Sequence, residues 1–165
     1  MRFVAALIVV VSCACSTPGA KQAHDVLTAR VYIEADYDAV WERFTEAELY
    51  ADWYSSPCKE FGQRPGDSVR WGTDERDVYR GQLVEIEKGS GLTHTFQFVG
   101  FGFDEPATPV TIGITDHGAT VLVSIHHDCS GAPETYDIIT PIGWPKSLSR
   151  LKTLLETGRA MPWPE

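Results

Sequence analysis

The sequence predicts one α+β domain: a curved antiparallel meander sheet of about seven strands, two short helices after the first strand, and a long C-terminal helix. Three observations lead to this prediction. An alternating apolar pattern changes to helical spacing near Val40, short apolar segments between turn residues follow, and an apolar stripe at helical spacing comes last. The length of 165 residues fits one such domain.

The first strand and both short helices are predicted from one continuous stretch. Its apolar residues first alternate as in a half-buried strand: Leu27, Ala29, Val31 and Ile33. Helical spacing then begins: Val40, Trp41 and Phe44. Thr45, with Glu48 three residues later, predicts a capping box that starts the second helix, and Trp53 closes the segment.

The rest of the sheet is predicted from short apolar segments separated by Gly, Pro and Asp. Such short connections indicate antiparallel neighbours, because parallel strands need longer crossovers. The predicted strands cover residues 58–62, 67–72, 77–87, 92–100, 108–115 and 120–128.

The C-terminal helix follows a Pro-interrupted run, and Pro145 suits its first turn. Its apolar stripe has helical spacing: Trp144, Leu148, Leu151 and Leu155. Gly158 is a suitable terminator. We expect the stripe to pack on the concave face of the sheet.

The composition limits the class of partner. The formal net charge is −9, with 43% hydrophobic and 22% charged residues. Nucleic acid and anionic lipid surfaces bind basic footprints, and no cluster of basic residues occurs here. We therefore expect no nucleic-acid partner.

The N-terminus has the features of an export signal. Arg2 precedes a short apolar run at residues 3–11, and the following VVSCACS resembles the bacterial lipobox. This resemblance implies lipidation of Cys13; Cys15 is the weaker alternative, and a freely secreted protein is the other reading of the signal. The expected organisation is a signal peptide at 1–12, an anchor and flexible tether at 13–25, a domain at 26–159 and a tail at 160–165.

The ordered motifs resemble the START-like (SRPBCC) helix-grip superfamily, and within it the branch named after the activator of the heat-shock chaperone ATPase. The motifs are DAVW at 38–41, ADWY at 51–54, RPGDSVRW at 64–71, YRGQLVEIE at 79–87 and GWPKSLSRLKTLLETG at 143–158. The resemblance implies a cavity between the sheet and the terminal helix. An exported chain does not meet a cytosolic chaperone, so chaperone activation is not expected.

The strand phases and this resemblance predict an apolar pocket. Its expected lining is Trp41, Phe44, Trp53, Trp71, His94, Phe96, Phe98, Ile112, His126, Trp144 and Leu148. His94 shares the phase of the apolar face, where an imidazole needs a hydrogen-bond partner or a chemical task. His126 and His127 are adjacent and must point to opposite faces. His126 matches the family's strand motif, but the sequence leaves open which of the two points inward.

Cys58 and Cys129 are the cysteines of the globular part, and they form either a disulfide or two free thiols. Neither has the paired spacing of a metal site, so we expect no metal, and no sequence motif indicates a cofactor.

These observations favour a domain that is lipid-anchored outside a bacterial membrane and binds a small hydrophobic molecule. No catalytic motif is present, and no catalytic residue is predicted. Two alternatives remain. One is a cyclase-like or hydrolase-like enzyme that uses His94 or His126. The other is a cell-envelope interaction module with a filled core and an apolar patch near residues 161–165.

Overall fold

The computed structural model describes residues 25–163. The predicted signal segment 1–12, Cys13 and Cys15 lie outside the described residues. The strands are β1 (Val26–Ile33), β2 (Cys58–Phe61), β3 (Ser68–Gly72), β4 (Asp77–Glu87), β5 (Gly91–Phe98), β6 (Thr108–Asp116) and β7 (Val121–Asp128). The helical segments are α1 (Tyr37–Thr45), a 3₁₀ helix (Ala47–Asp52), α2 (Pro133–Ile138), a π segment (Ile139–Gly143) and α3 (Trp144–Thr157).

The seven strands form one antiparallel sheet in the order β1-β7-β6-β5-β4-β3-β2. Strands β2 to β7 are a meander, and β1 lies beside β7 at one edge. The predicted fold class is therefore confirmed, with β4 at the predicted bounds. Alternate residues of β5, β6 and β7 face inward and are buried, which gives the sheet one apolar face.

Helix α3 covers this apolar face. Trp144, Leu148 and Leu151 are buried, and Leu155 is half-buried at the edge of the contact. Gly158 ends the helix with φ of 75°, a left-handed conformation that glycine adopts without steric cost. Among residues 25–163, no helix is long and apolar enough to cross a membrane.

Two local predictions need correction. The sequence did not predict α2 and the π segment that precede α3, although Pro133 occupies the first turn of α2, where proline is favoured. The capping box of Thr45 and Glu48 is wrong. Thr45 belongs to the last turn of α1, so its hydroxyl donates back to the Trp41 carbonyl at 3.1 Å.

Arg150 on α3 connects the helix to two other segments. Its guanidinium donates to the carbonyls of Asp52 at 3.1 Å and Trp53 at 3.0 Å, and it also donates to the carbonyl of Met161. The same guanidinium lies 5.1 Å from the ring of Trp163. Met161 and Trp163 are therefore packed on α3 rather than projecting as the apolar patch considered from the sequence.

Candidate functional site

The inner face of the sheet and α3 bring most of the predicted pocket residues together. The fully or almost fully buried members are Phe44, Trp53, Trp71, His94, Phe96, Phe98, Ile112, Trp144 and Leu148. Trp41 lies at the margin, half-buried on α1 and stacked on Tyr37 at a ring separation of 6.3 Å.

Three tyrosines that were not predicted as lining complete this cluster. Tyr54 is central, with its ring 6.1 Å from Trp71, 6.0 Å from Tyr79 and 5.5 Å from Trp144. Tyr50 lies 5.7 Å from Trp71. Aromatic rings thus pack against one another across the space where the cavity was expected. The ADWY segment, which ends at Tyr54, was the signal in the sequence that could have placed it here.

His126 is the clear correction to the predicted pocket. It is exposed on the outer face of β7, whereas His127 is buried on the inner face with 0% exposure. Pairing with β1 fixes this register, because His127 lies opposite the buried Leu27 and His126 opposite the exposed Thr28.

His127 is held in a continuous chain of hydrogen bonds. The indole N–H of Trp144 donates to His127 Nδ1 at 3.1 Å, so Nδ1 is the unprotonated nitrogen. The proton is then on Nε2, which donates to Thr108 Oγ1 at 2.8 Å, and the Thr108 hydroxyl donates to the Phe96 carbonyl at 3.1 Å. Burial lowers the pKa of His127 to about 3. His127 is therefore a neutral, fully bonded core residue.

His94 is only partly bonded. Its Nδ1 lies 2.8 Å from the carbonyl of Thr95, which can only accept, so Nδ1 carries the proton and Nε2 has a free lone pair. Within residues 25–163, Nε2 has no hydrogen-bond partner, although His94 is only 1% exposed. Burial lowers the pKa of His94 to about 4, which keeps the ring neutral at pH 7.

The indole of Trp71 faces His94, with 5.3 Å between the ring centroids. The Trp71 Nε1–H also has no partner among the described residues, and the side chain is 2% exposed. Buried indole N–H groups normally find an acceptor. Here Trp53 donates to the Arg43 carbonyl at 3.2 Å and Trp144 donates to His127, so Trp71 is the exception.

Gly81 shapes the backbone that orients His94. A Cβ atom at Gly81 would lie 1.7 Å from the Thr95 carbonyl oxygen, so only glycine leaves room for that carbonyl. The adjacent Gln82 N–H donates to the Thr95 hydroxyl at 2.9 Å. The pairing of β4 with β5 is irregular close to this point, with a register shift between Leu83 and Glu85.

The depressions found on the domain lie on its outside. One groove of about 450 Å³ crosses the outer face, and its lining includes Arg70, Arg80 and Gln97. Arg70 is bonded to Asp77, and Arg80 donates twice to the side-chain oxygen of Gln97. The polar groups of this groove are thus largely engaged with one another.

Cys58 and Cys129 are free thiols in the structure. Cys58 is on the edge strand β2 and Cys129 follows β7, with four strands between them. Five strand spacings of about 4.8 Å along the sheet exceed the reach of a disulfide, which needs Cα atoms within about 7 Å. The free-thiol alternative is therefore the one that the geometry favours.

His94 and Trp71 are neighbouring side chains of the interior that both have unused hydrogen-bonding capacity; among the described residues, the hydroxyls of Thr140 and Ser147 are the other buried side-chain groups without a partner. The pair of His94 and Trp71 offers one acceptor and one donor inside a wall of aromatic rings. No group of three or more potential metal ligands occurs within residues 25–163. The histidine is a weak base because its pKa is about 4, so the arrangement is better suited to binding than to proton abstraction.

A sequence model of one family, described as activator of Hsp90 ATPase homolog 1-like protein, matches residues 34–156. The chain belongs to this family. No curated protein matches the sequence. The fold of this AHSA1 member is of a kind typical of ligand-binding and cyclase-like proteins.

Solved structures share the fold of this AHSA1 member. DynU16, a protein of the dynemicin biosynthetic locus, superposes with a TM-score of 0.69 at 24% identity, covering 82% of this chain and 49% of its own. The chain thus spans about half the length of DynU16. CalU16 from Micromonospora echinospora gives a TM-score of 0.64 at 18% identity, covering 81% of this chain and 77% of its own.

The Aha1 dimer structure from Colwellia psychrerythraea gives a TM-score of 0.62 at 15% identity, covering 82% of this chain and 98% of its own. The TM-scores show a common fold, and at these identities they show the fold alone. The chemistry of the AHSA1 member described here must be argued from its own residues.

Proposed function

We propose that this protein is a lipid-anchored extracytoplasmic AHSA1-family domain that binds a small, mainly apolar molecule between the sheet and α3. The observation that carries the proposal is the pair of unpartnered polar atoms, His94 Nε2 and Trp71 Nε1, enclosed by apolar side chains. A pocket with an apolar wall and a few polar groups is the usual form of a small-molecule site. The fold and family support the same location.

The packing of the interior sets a condition on the ligand. Tyr54 and Trp144 are in ring contact across the sheet–helix space, at 5.5 Å. A ligand that enters this space must therefore displace side chains or move α3. This requirement favours a small ligand and a site that opens transiently to admit it.

A cyclase-like or hydrolase-like enzyme is the second candidate, and the free Nε2 of His94 is the observation that favours it. The version that used His126 is wrong, because that side chain is on the outer face. The third candidate, an interaction module, is favoured by the close aromatic packing.

Native mass spectrometry of the mature domain, purified from its own host, tests the proposal. A defined small apolar molecule present at about one per chain, released by denaturing extraction and identified, is the expected result. Its chemical conversion during incubation would favour the enzyme. A chain that carries nothing would favour the interaction module and overturn ligand binding.

The anchor is tested separately. Metabolic labelling with a fatty acid should label the wild-type protein and the Cys15→Ser variant, and should leave Cys13→Ser unlabelled. Labelling that depends on Cys15 would move the anchor by two residues. Absence of label, with processed protein in the medium, would support free secretion instead.

A further inference from the structure

We propose that His94 and Trp71 form a subsite that binds the hydroxyl group of a ligand, so that the ligand class is a small aromatic or alicyclic alcohol, phenol or enol. This inference rests on the proposed function, since it names the ligand chemistry of the same site. The observation behind the inference is the free hydrogen-bonding capacity of two neighbouring side chains, His94 on β5 and Trp71 on β3.

The two free groups are complementary to one O–H. His94 Nε2 can only accept, because the Thr95 carbonyl holds the ring proton on Nδ1. Trp71 Nε1–H can only donate. A hydroxyl can donate its proton to the first and accept from the second, and the two rings that carry these groups are neighbours, with 5.3 Å between their centroids.

The same pair excludes other ligand heads. A carboxylate has no proton for Nε2, and both carboxylate and phosphate would bring negative charge into an apolar interior, against a lone pair. A protonated amine can donate to Nε2 but has no lone pair for the indole N–H. An ether accepts from Trp71 and leaves His94 unsatisfied. A neutral O–H group is the simplest head that satisfies both.

Within residues 25–163 the hydroxyls of Thr140 and Ser147 also lack a partner, but His94 and Trp71 bring a free acceptor and a free donor onto neighbouring rings. The neighbouring buried polar side chains His127, Trp144 and Trp53 are bonded. A buried donor and a buried acceptor without hydrogen-bond partners lower the stability of the fold. Two apolar side chains at these positions would avoid that loss. The Thr95 carbonyl, which has room because Gly81 has no Cβ atom, holds His94 in the tautomer that the subsite requires.

The apolar body of the ligand is indicated by the rings beside the subsite. Tyr79 lies 6.4 Å from Trp71 and stacks on Phe96 at 5.1 Å, and Phe98 lies 5.1 Å from Tyr79. A flat hydrocarbon body fits against such faces in offset or edge contacts. The hydroxyl then fixes the orientation of a molecule that would otherwise be held by apolar contacts alone.

The test uses three probes of similar size: phenol, toluene and anisole. Their binding to the ¹⁵N-labelled domain is followed by NMR at the Trp71 indole and the His94 ring. We expect phenol to bind about tenfold more tightly than toluene or anisole, as two hydrogen bonds in a buried site predict. Trp71→Phe and His94→Leu should each remove this preference while toluene still binds.

The control variants keep the result interpretable. Trp163→Phe and His126→Gln change an indole and an imidazole outside the interior and should preserve the preference for phenol. Equal binding of phenol and toluene would overturn the subsite and leave interior binding standing. Binding of none of the probes would overturn both.

A bound water molecule could make the same two hydrogen bonds as a ligand hydroxyl, and NMR distinguishes the two. A water molecule that still gives a persistent nuclear Overhauser effect to the Trp71 indole proton at saturating phenol would mean that the pair holds solvent. That result would overturn the ligand assignment. Replacement of the water signal by a contact with phenol is the expected outcome.

Discussion

The indole N–H of Trp144 on α3 donates to Nδ1 of His127 on β7 at 3.1 Å, and this bond links the terminal helix to the sheet through a polar contact inside an apolar core. Because Trp144 can only donate, it also selects the tautomer of His127. The selected tautomer then reaches Thr108 on β6 and the Phe96 carbonyl on β5. One side chain of the helix thereby organises three strands.

Trp144→Phe should destabilise the domain by about 2 kcal/mol or more, because it leaves His127 Nδ1 buried without a partner and removes ring volume. Urea unfolding measures the change. The double variant with His127→Leu separates the two causes, since removal of both partners should recover about 1 kcal/mol as coupling energy. Additive effects would contradict the bond.

Acid should destabilise the fold before most carboxylates titrate. Burial lowers the pKa of His94 to about 4 and of His127 to about 3, against about 6.5 in an unfolded chain. Above pH 6.5 both residues are neutral in both states. Between that pH and about 4 the unfolded chain binds protons and the native chain does not. The free energy of unfolding therefore decreases as the pH is lowered.

The expected loss from His94 is roughly 3 kcal/mol once the pH reaches the native pKa. Unfolding measured between about pH 7 and 5 should show a steep decline in the wild type and a shallower one in His94→Leu. His126→Gln is the matched control, because His126 is exposed. A flat profile in the wild type would show that neither buried histidine resists protonation.

Glu105 should be important for α2, which the sequence did not reveal. Its carboxylate accepts from the Glu134 and Thr135 backbone N–H groups at 2.6 and 3.0 Å and from the Thr135 hydroxyl at 2.6 Å. Glu105→Gln should cost about 1 kcal/mol and speed amide exchange at Thr135. Asp104, the neighbouring residue, is exposed, so Asp104→Asn is the control. Equal effects of the two variants would contradict the role of Glu105.

Both thiols should be unreactive in the native protein. Burial raises the pKa of Cys58 and of Cys129 to about 12, so thiolate is scarce near pH 8. Alkylation followed by mass spectrometry should be at least about a hundredfold slower than in denaturant. Loss of two hydrogens from the purified chain, with no alkylation after unfolding, would instead reveal a disulfide.

Most of the fold could be predicted because its apolar periods are regular. The alternation in β5 and β6 and the stripe of α3 set the inner face, including the burial of His94. At β7 the alternation did not identify the inner face. Val121, Val123 and Ile125 are on one face of the strand and Leu122 and Ser124 on the other, and both sets contain apolar residues. The pairing of β7 with β1 and β6 decided between His126 and His127.

The hydrogen-bond partners within the site could not be predicted. Trp144 and His127 come from elements that local periodicity does not relate, and their contact depends on how α3 lies on the sheet. The position of the Thr95 carbonyl beside His94 depends on the absence of a Cβ atom at Gly81, on the neighbouring strand. Pro133 was a signal for α2, but a segment of six residues is too short to show a helical period.

Arg150 joins α3 to the carbonyls of Asp52, Trp53 and Met161, and none of these groups belongs to the proposed subsite. Movement of α3 away from the segment at Asp52 and Trp53 would break the two bonds to their carbonyls together. The consequence is kinetic. Replacement of the guanidinium should accelerate ligand uptake and release in parallel and leave the dissociation constant nearly unchanged, so a side chain remote from the ligand would set its residence time.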